Sequence, residues 1–151
     1  MMLRLLLLLA AVPAFAAEPF AYAGIGLDAT AANLRPKFPN SKVTGDYVHV
    51  ADKDSRDHIY GIGIPGAKKP RSVRVSFERP GGSRPAYPKC KVVEARLRAG
   101  FGAPNEIRKS AAERNPRADR IWKGAGETMT LVCFAGPNGE LLAEAVVIAE
   151  K

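Results

Sequence analysis

Reactive side chains are scarce in this chain of 151 residues, which holds two cysteines, two histidines and one tryptophan. His49 and His58 do not fall on one face of an H-x-x-x-H helix, the spacing that builds common zinc sites, and both are expected at strand ends. Cys90 and Cys133 lack the C-x-x-C spacing that lowers a thiol pKa, which removes dithiol redox chemistry. No serine stands in G-x-S-x-G or S-x-x-K, so the common exported serine hydrolases have no nucleophile here. Long apolar runs are also missing. The best, Leu5 to Val12, is far short of the ~20 residues that span a bilayer, so no membrane span is expected.

Two motifs resemble chemical sites without the parts those sites need. Gly61-x-Gly63-x-x-Gly66 matches the dinucleotide pattern literally, but a strand-like stretch runs through it, and Pro65 with no helix after it leaves no amide-lined N-terminus for a pyrophosphate. The acidic run Asp52-Lys53-Asp54-Ser55-Arg56-Asp57 puts Arg56 on a ligand position of a calcium loop, Asp57 at its glycine and Gly63 where a glutamate is required. It reads as a charged hairpin loop. No metal and no cofactor are expected.

What the sequence does contain begins with an address. Arg4 followed by the apolar run, Pro13 and the small-residue site Ala14-Phe15-Ala16 form a secretory leader, residues 1–16. Residues 17–151 are then the mature chain, of a length suited to one domain, expected in the periplasm or outside the cell. No cysteine at the cleavage site offers a lipid attachment point. An oxidising compartment turns a lone cysteine pair into a structural bond, so Cys90–Cys133 is expected as a disulfide. There are 23 Lys and Arg against 15 Asp and Glu, and only Arg4 lies in the leader, so the mature protein stays strongly basic. Outside the cytoplasm this points to acidic proteins or anionic envelope components as partners and away from nucleic acid. The basic residues are interspersed with acids, as on a solvated surface.

Two runs of similar order divide the chain, giving candidate repeat units at 23–80 and 87–150. In the first, Thr30 caps a short helix with Leu34 and Phe38 inward, which Pro36 stops or kinks. Strands are expected at 43–50, 58–64 and 72–78, where Val73, Val75 and Phe77 alternate with polar neighbours. After a loop at 79–88, Cys90, Val93, Leu97 and Phe101 form one helical stripe that Gly102 and Pro104 end. Strands are then expected at 118–123, 127–134 and 140–149, joined at Gly124-Ala125-Gly126 and Gly136-Pro137-Asn138-Gly139. The last segment has helix-forming residues at Leu141 to Ala145, but Val146-Val147-Ile148 after a hairpin turn favours strand. The fold expected is α+β: an antiparallel sheet with helices on one face, two tandem α-β-β-β units and one disulfide.

The run Gly24-Ile25-Gly26-Leu27-Asp28-Ala29-Thr30, leading through Leu34 to Phe38-Pro39, with Phe101-Gly102-Ala103-Pro104 in the second half, resembles a pattern of small secreted α/β modules. These are the β-lactamase-inhibitor-protein-like fold and the small outer-membrane assembly lipoproteins. The resemblance implies helices packed on one face of an antiparallel sheet, and a role in binding other proteins.

Candidate functional residues follow from this plan. Trp122, flanked by Arg120 and Lys123, is either core or an exposed anchor for a protein or sugar, and Tyr60 is expected to pack. As a strand residue Glu144 shares a face with Leu142, Val146 and Ile148, which makes it a candidate buried acid, with Arg120 or Arg74 as partner. Trp122, Arg120, Lys123 and Arg74 are the candidate binding residues. The function expected is a non-catalytic binding module of the bacterial envelope, reached through the open sheet face or the basic surface. The alternative is a small envelope hydrolase using Glu144 with a histidine.

Overall fold

The computed structural model describes residues 18–50, 58–64, 72–78, 87–110, 116–124 and 126–151. The leader, the acidic run at 52–57, Pro65 and Gly66 lie outside the described residues, as does most of the loop at 79–88.

The first helix, α1 (Ala31–Leu34), is held at its start by a reciprocal pair of bonds. Asn33 N donates to Thr30 Oγ1 (3.2 Å), and Thr30 N donates to the Asn33 side chain (2.7 Å). It ends after one turn because Pro36 has no N–H to continue the ladder. The run at 43–50 is not one strand. It folds back as a hairpin, β1 (Lys42–Thr44) and β2 (Tyr47–His49), around Gly45-Asp46. Gly45 takes φ +55°, the left-handed conformation such a tight turn demands. Next come β3 (Gly61–Gly63) and β4 (Ser72–Ser76), in which Val73 and Val75 are buried and their neighbours half-buried, as alternation predicts.

The second half opens with α2 (Cys90–Phe101), which buries Cys90, Val93 and Leu97 and stops at Gly102, φ +74°. Then comes β5 (Glu106–Ser110), which hydrophobic patterning misses because Ile107 is its one apolar residue. The remaining strands are β6 (Arg117–Lys123), β7 (Glu127–Ala135) and β8 (Leu141–Glu150). The last segment is thus a strand. Among the described residues each half supplies one helix and four strands, where three strands are expected from the sequence.

All eight strands form one antiparallel sheet in the order β1-β2-β3-β4-β8-β7-β6-β5, so the two halves meet where β4 pairs with β8. The element content is mostly sheet, with helix as the minor partner. Pairing places Val48, Ile62, Val75, Val146, Leu131 and Trp122 on one side of the sheet. Leu34 and Phe38 join these residues in the same core as Val93 and Leu97, so both helices lie over that side. The Cys90–Cys133 disulfide ties α2 to β7 (S–S 2.04 Å, Cα–Cα 6.0 Å). Closing a loop 43 residues long contributes about 4 kcal/mol in the chain-entropy account.

A single irregularity in β8 decides which of its residues face the helices. Val132 pairs with Ala145 but Cys133 pairs with Ala143, which leaves Glu144 as an extra residue in the strand. This is a β-bulge, and it resets the alternation of every residue before it.

Candidate functional site

The face of the sheet opposite the helices carries the exposed chemistry. Across that face, one row of the register runs Tyr47, Gly63, Arg74, Val147, Thr130, Ile121 and Glu106. The next runs His49, Gly61, Ser76, Ala145 and Val132. The bulge delivers Glu144 to this same face, away from Val146 and Ile148. Glu144 is therefore not an acid buried in the core: its side chain keeps 27% of its exposure and binds two guanidinium groups. Arg74 Nη2 donates to Oε1 at 2.5 Å and Arg117 Nη2 to Oε2 at 2.6 Å. Arg74 Nε also donates to Ser76 Oγ (3.3 Å), so the guanidinium is braced on two sides. Beside this group Tyr87 packs edge-on against Phe134, ring centroids 4.8 Å apart. Burial first, then the nearby Glu78 and Glu144 carboxylates, raise the Tyr87 phenol above its usual pKa.

At the other end of the face, Tyr47 is about half exposed (49%) and stacks with His49, centroids 6.2 Å apart. The Tyr47 ring reaches over Gly63 so closely that a Cβ there would lie 3.1 Å from Cε1. Tyr47 and Arg74 thus flank a bare stretch of backbone. Together with Asp46, Ile64, Ser72 and Val147 they line a pocket of about 310 Å³. A larger hollow of about 710 Å³ lies by the N-terminal segment, between Phe20, Asp28, Glu127 and Glu150. There Phe20 N donates to Glu127 (2.9 Å) and the Phe20 ring packs edge-on against Phe101.

The four candidate binding residues do not form one site. Trp122 is 1% exposed, with Nε1 donating to Gly102 O at 3.0 Å, so it is core and no surface anchor. Tyr60 is buried as well. Arg120 lies under α2, where Nε donates to Glu94 Oε2 (2.8 Å), and it does not reach Glu144. Glu94 also receives Arg98 (2.9 Å). Burial pushes the Glu94 carboxyl up, but the hydrogen bonds from Arg120 and Arg98 outweigh it and hold the pKa below the usual range. Lys123 and Arg74 do share the helix-free face, with β7 and β8 between their strands. Lys123 pairs with Glu106 (3.0 Å), which also takes Arg108 (3.1 Å), and these hydrogen bonds lower the Glu106 pKa.

Glu144 and a histidine do not converge. Strands about 4.8 Å apart put roughly 14 Å of sheet between His49 on β2 and β8, and β4 intervenes between β8 and the segment carrying His58. Among the described residues no three His, Cys, Asp or Glu side chains gather as a metal set. No described helix is long and apolar enough to cross a membrane. Sequence reasoning missed Tyr47, Tyr87, Arg117 and Phe134. Strict alternation along 43–50 already puts Tyr47 on the same face as His49, but nothing in the sequence marks that face as the exposed one. No protein family, curated protein or solved structure matches this chain.

Proposed function

We propose that this protein is an exported, non-catalytic binding module whose helix-free sheet face engages an anionic envelope component or an acidic protein. The observation that carries the reading is the bulge at Glu144, which gives up regular pairing to brace Arg74 and Arg117 on that face. Bulges of this kind re-aim side chains where a surface is used. Charge supports it locally: Arg74 and Arg117 share the one carboxylate of Glu144, and Lys42, Arg108 and Lys123 lie on the same face, whose acids are Glu106, Asp119 and Glu144 with Asp46 at the pocket and Glu78 by Tyr87. The leader, the single disulfide and the basic composition fit work outside the cytoplasm. The order of elements, one helix and four strands in each half meeting at β4 and β8, supports a tandem origin for the two units.

The test is a pull-down from envelope extract with the mature, oxidised protein and its Arg74→Glu/Arg117→Glu variant. Wild type should retain a partner that the variant loses while its melting temperature is kept. Equal capture by both proteins would remove the helix-free face from the reading.

A further inference from the structure

We propose that the pocket between Tyr47 and Arg74 holds a single pyranose ring of an anionic envelope glycan. This rests on the reading of the helix-free face as the binding surface, and adds the chemical class of what is bound.

Size comes first. At about 310 Å³ the pocket sits at the small end of ligand sites, which run from about 300 to 1,000 Å³, so it suits one ring and not a chain of them. One wall is the half-exposed Tyr47 ring, and the missing Cβ at Gly63 lets that ring lie across the sheet. A pyranose presents an apolar C–H face that packs on such an aromatic surface. The polar groups are mixed. Arg74 offers N–H donors already oriented by Glu144 and Ser76, Asp46 offers acceptors, and the Ser72 hydroxyl does both. Vicinal sugar hydroxyls each donate and accept, and they satisfy such a set without a net charge.

A free carboxylate fits less well. Arg74 is already partnered by Glu144, and Asp46 on the pocket lining repels a second anion. Positive charge outside the pocket sits at Lys42 on the edge strand and at Arg117, which shares Glu144 with Arg74. Charged substituents on neighbouring sugar residues would meet it there. The ordered guanidinium has a further consequence, because a donor braced before binding loses little freedom on binding.

Three probes test the assignment on the mature, oxidised protein, followed by calorimetry and by amide chemical shifts: a hyaluronan tetrasaccharide, in which neutral N-acetylglucosamine alternates with glucuronate, chitotriose and hexaglutamate. The hyaluronan tetrasaccharide should bind and shift Tyr47, Gly63 and Ser72. Tyr47→Ala and Arg74→Met should each weaken it about tenfold or more, as anchor residues do. Lys109→Ala, on the other side of edge strand β5, should leave it unchanged. Should Tyr47→Ala fail to fold, Ser72→Leu fills the pocket from a half-exposed position and should abolish the same shifts. Chitotriose binding alone at these residues would uphold the ring site and overturn its anionic character. Hexaglutamate binding through Arg74 and Arg117, with neither sugar moving Tyr47, would overturn the pocket and leave the binding face standing. If none of the three perturbs the helix-free face, both readings fall.

Discussion

Two carboxylates in this protein each hold a pair of guanidinium groups, and they do so on opposite sides of one sheet. Glu94 grips Arg98 and Arg120 under α2, with the Glu94 and Arg120 side chains only 14% exposed. Glu144 grips Arg74 and Arg117 on the open side, where those arginines keep 39% and 44% of their exposure. The chemistry is the same and the setting is not. Beneath the helix, the pair sits in a medium that screens poorly, so losing one partner strands a charge. On the open side water screens each contact, so the same grip adds little stability and serves to orient. Burial, more than the identity of the residues, decides which carboxylate is structural.

The largest effect expected bears on the helix-covered side. Cys90→Ser/Cys133→Ser should cost about 4 kcal/mol of unfolding free energy, measured by urea denaturation of the oxidised parent and the variant. Next, Arg120→Met should cost about 2 to 3 kcal/mol by leaving Glu94 half-paired, whereas Arg117→Met should cost under about 1 kcal/mol. Equal costs at the two sites would break the contrast. The same asymmetry has a pH signature. Because its folded pKa is lowered from 4.5, Glu94 contributes stability that is present above that value and is lost as pH falls through the folded pKa. Urea midpoints taken from pH 6 down to pH 3 should therefore fall less steeply in Arg120→Met than in wild type. The smallest effect lies on the open face. Gly63→Ala should change stability by no more than about 1 kcal/mol, since the Tyr47 ring can yield a few tenths of an ångström. It should still move the Tyr47 ring resonances, while Gly61→Ala, with nothing within 4 Å, should not.

Most of the covered face can be read from residue patterns, because burial writes itself into sequence. Val73 and Val75 alternate, and Cys90, Val93 and Leu97 keep helical spacing. The open face leaves weaker traces. Edge strand β5 has a single apolar residue, so nothing in its periodicity marks it. The bulge at Glu144 adds one residue with no composition signal, and strict alternation then assigns Glu144 to the wrong side. Trp122, the most conspicuous candidate in the sequence, is inside, and Tyr47, half hidden in an apparent single strand, is outside. A site built by crossing four strands depends on register, which no local window contains.

The pairing of β4 with β8 also sets an order of events during folding. Ser72 finds its neighbour in Ala149, so β4 is synthesised long before the strand it must lie beside, with α2, β5, β6 and β7 made in between. Contacts this distant along the chain are slow to form, since a long loop must close before they repay it. The first half therefore waits with an unsatisfied edge until the second half arrives. A nascent chain that stays open in this way remains threadable, which suits the proposed export through a narrow translocation channel.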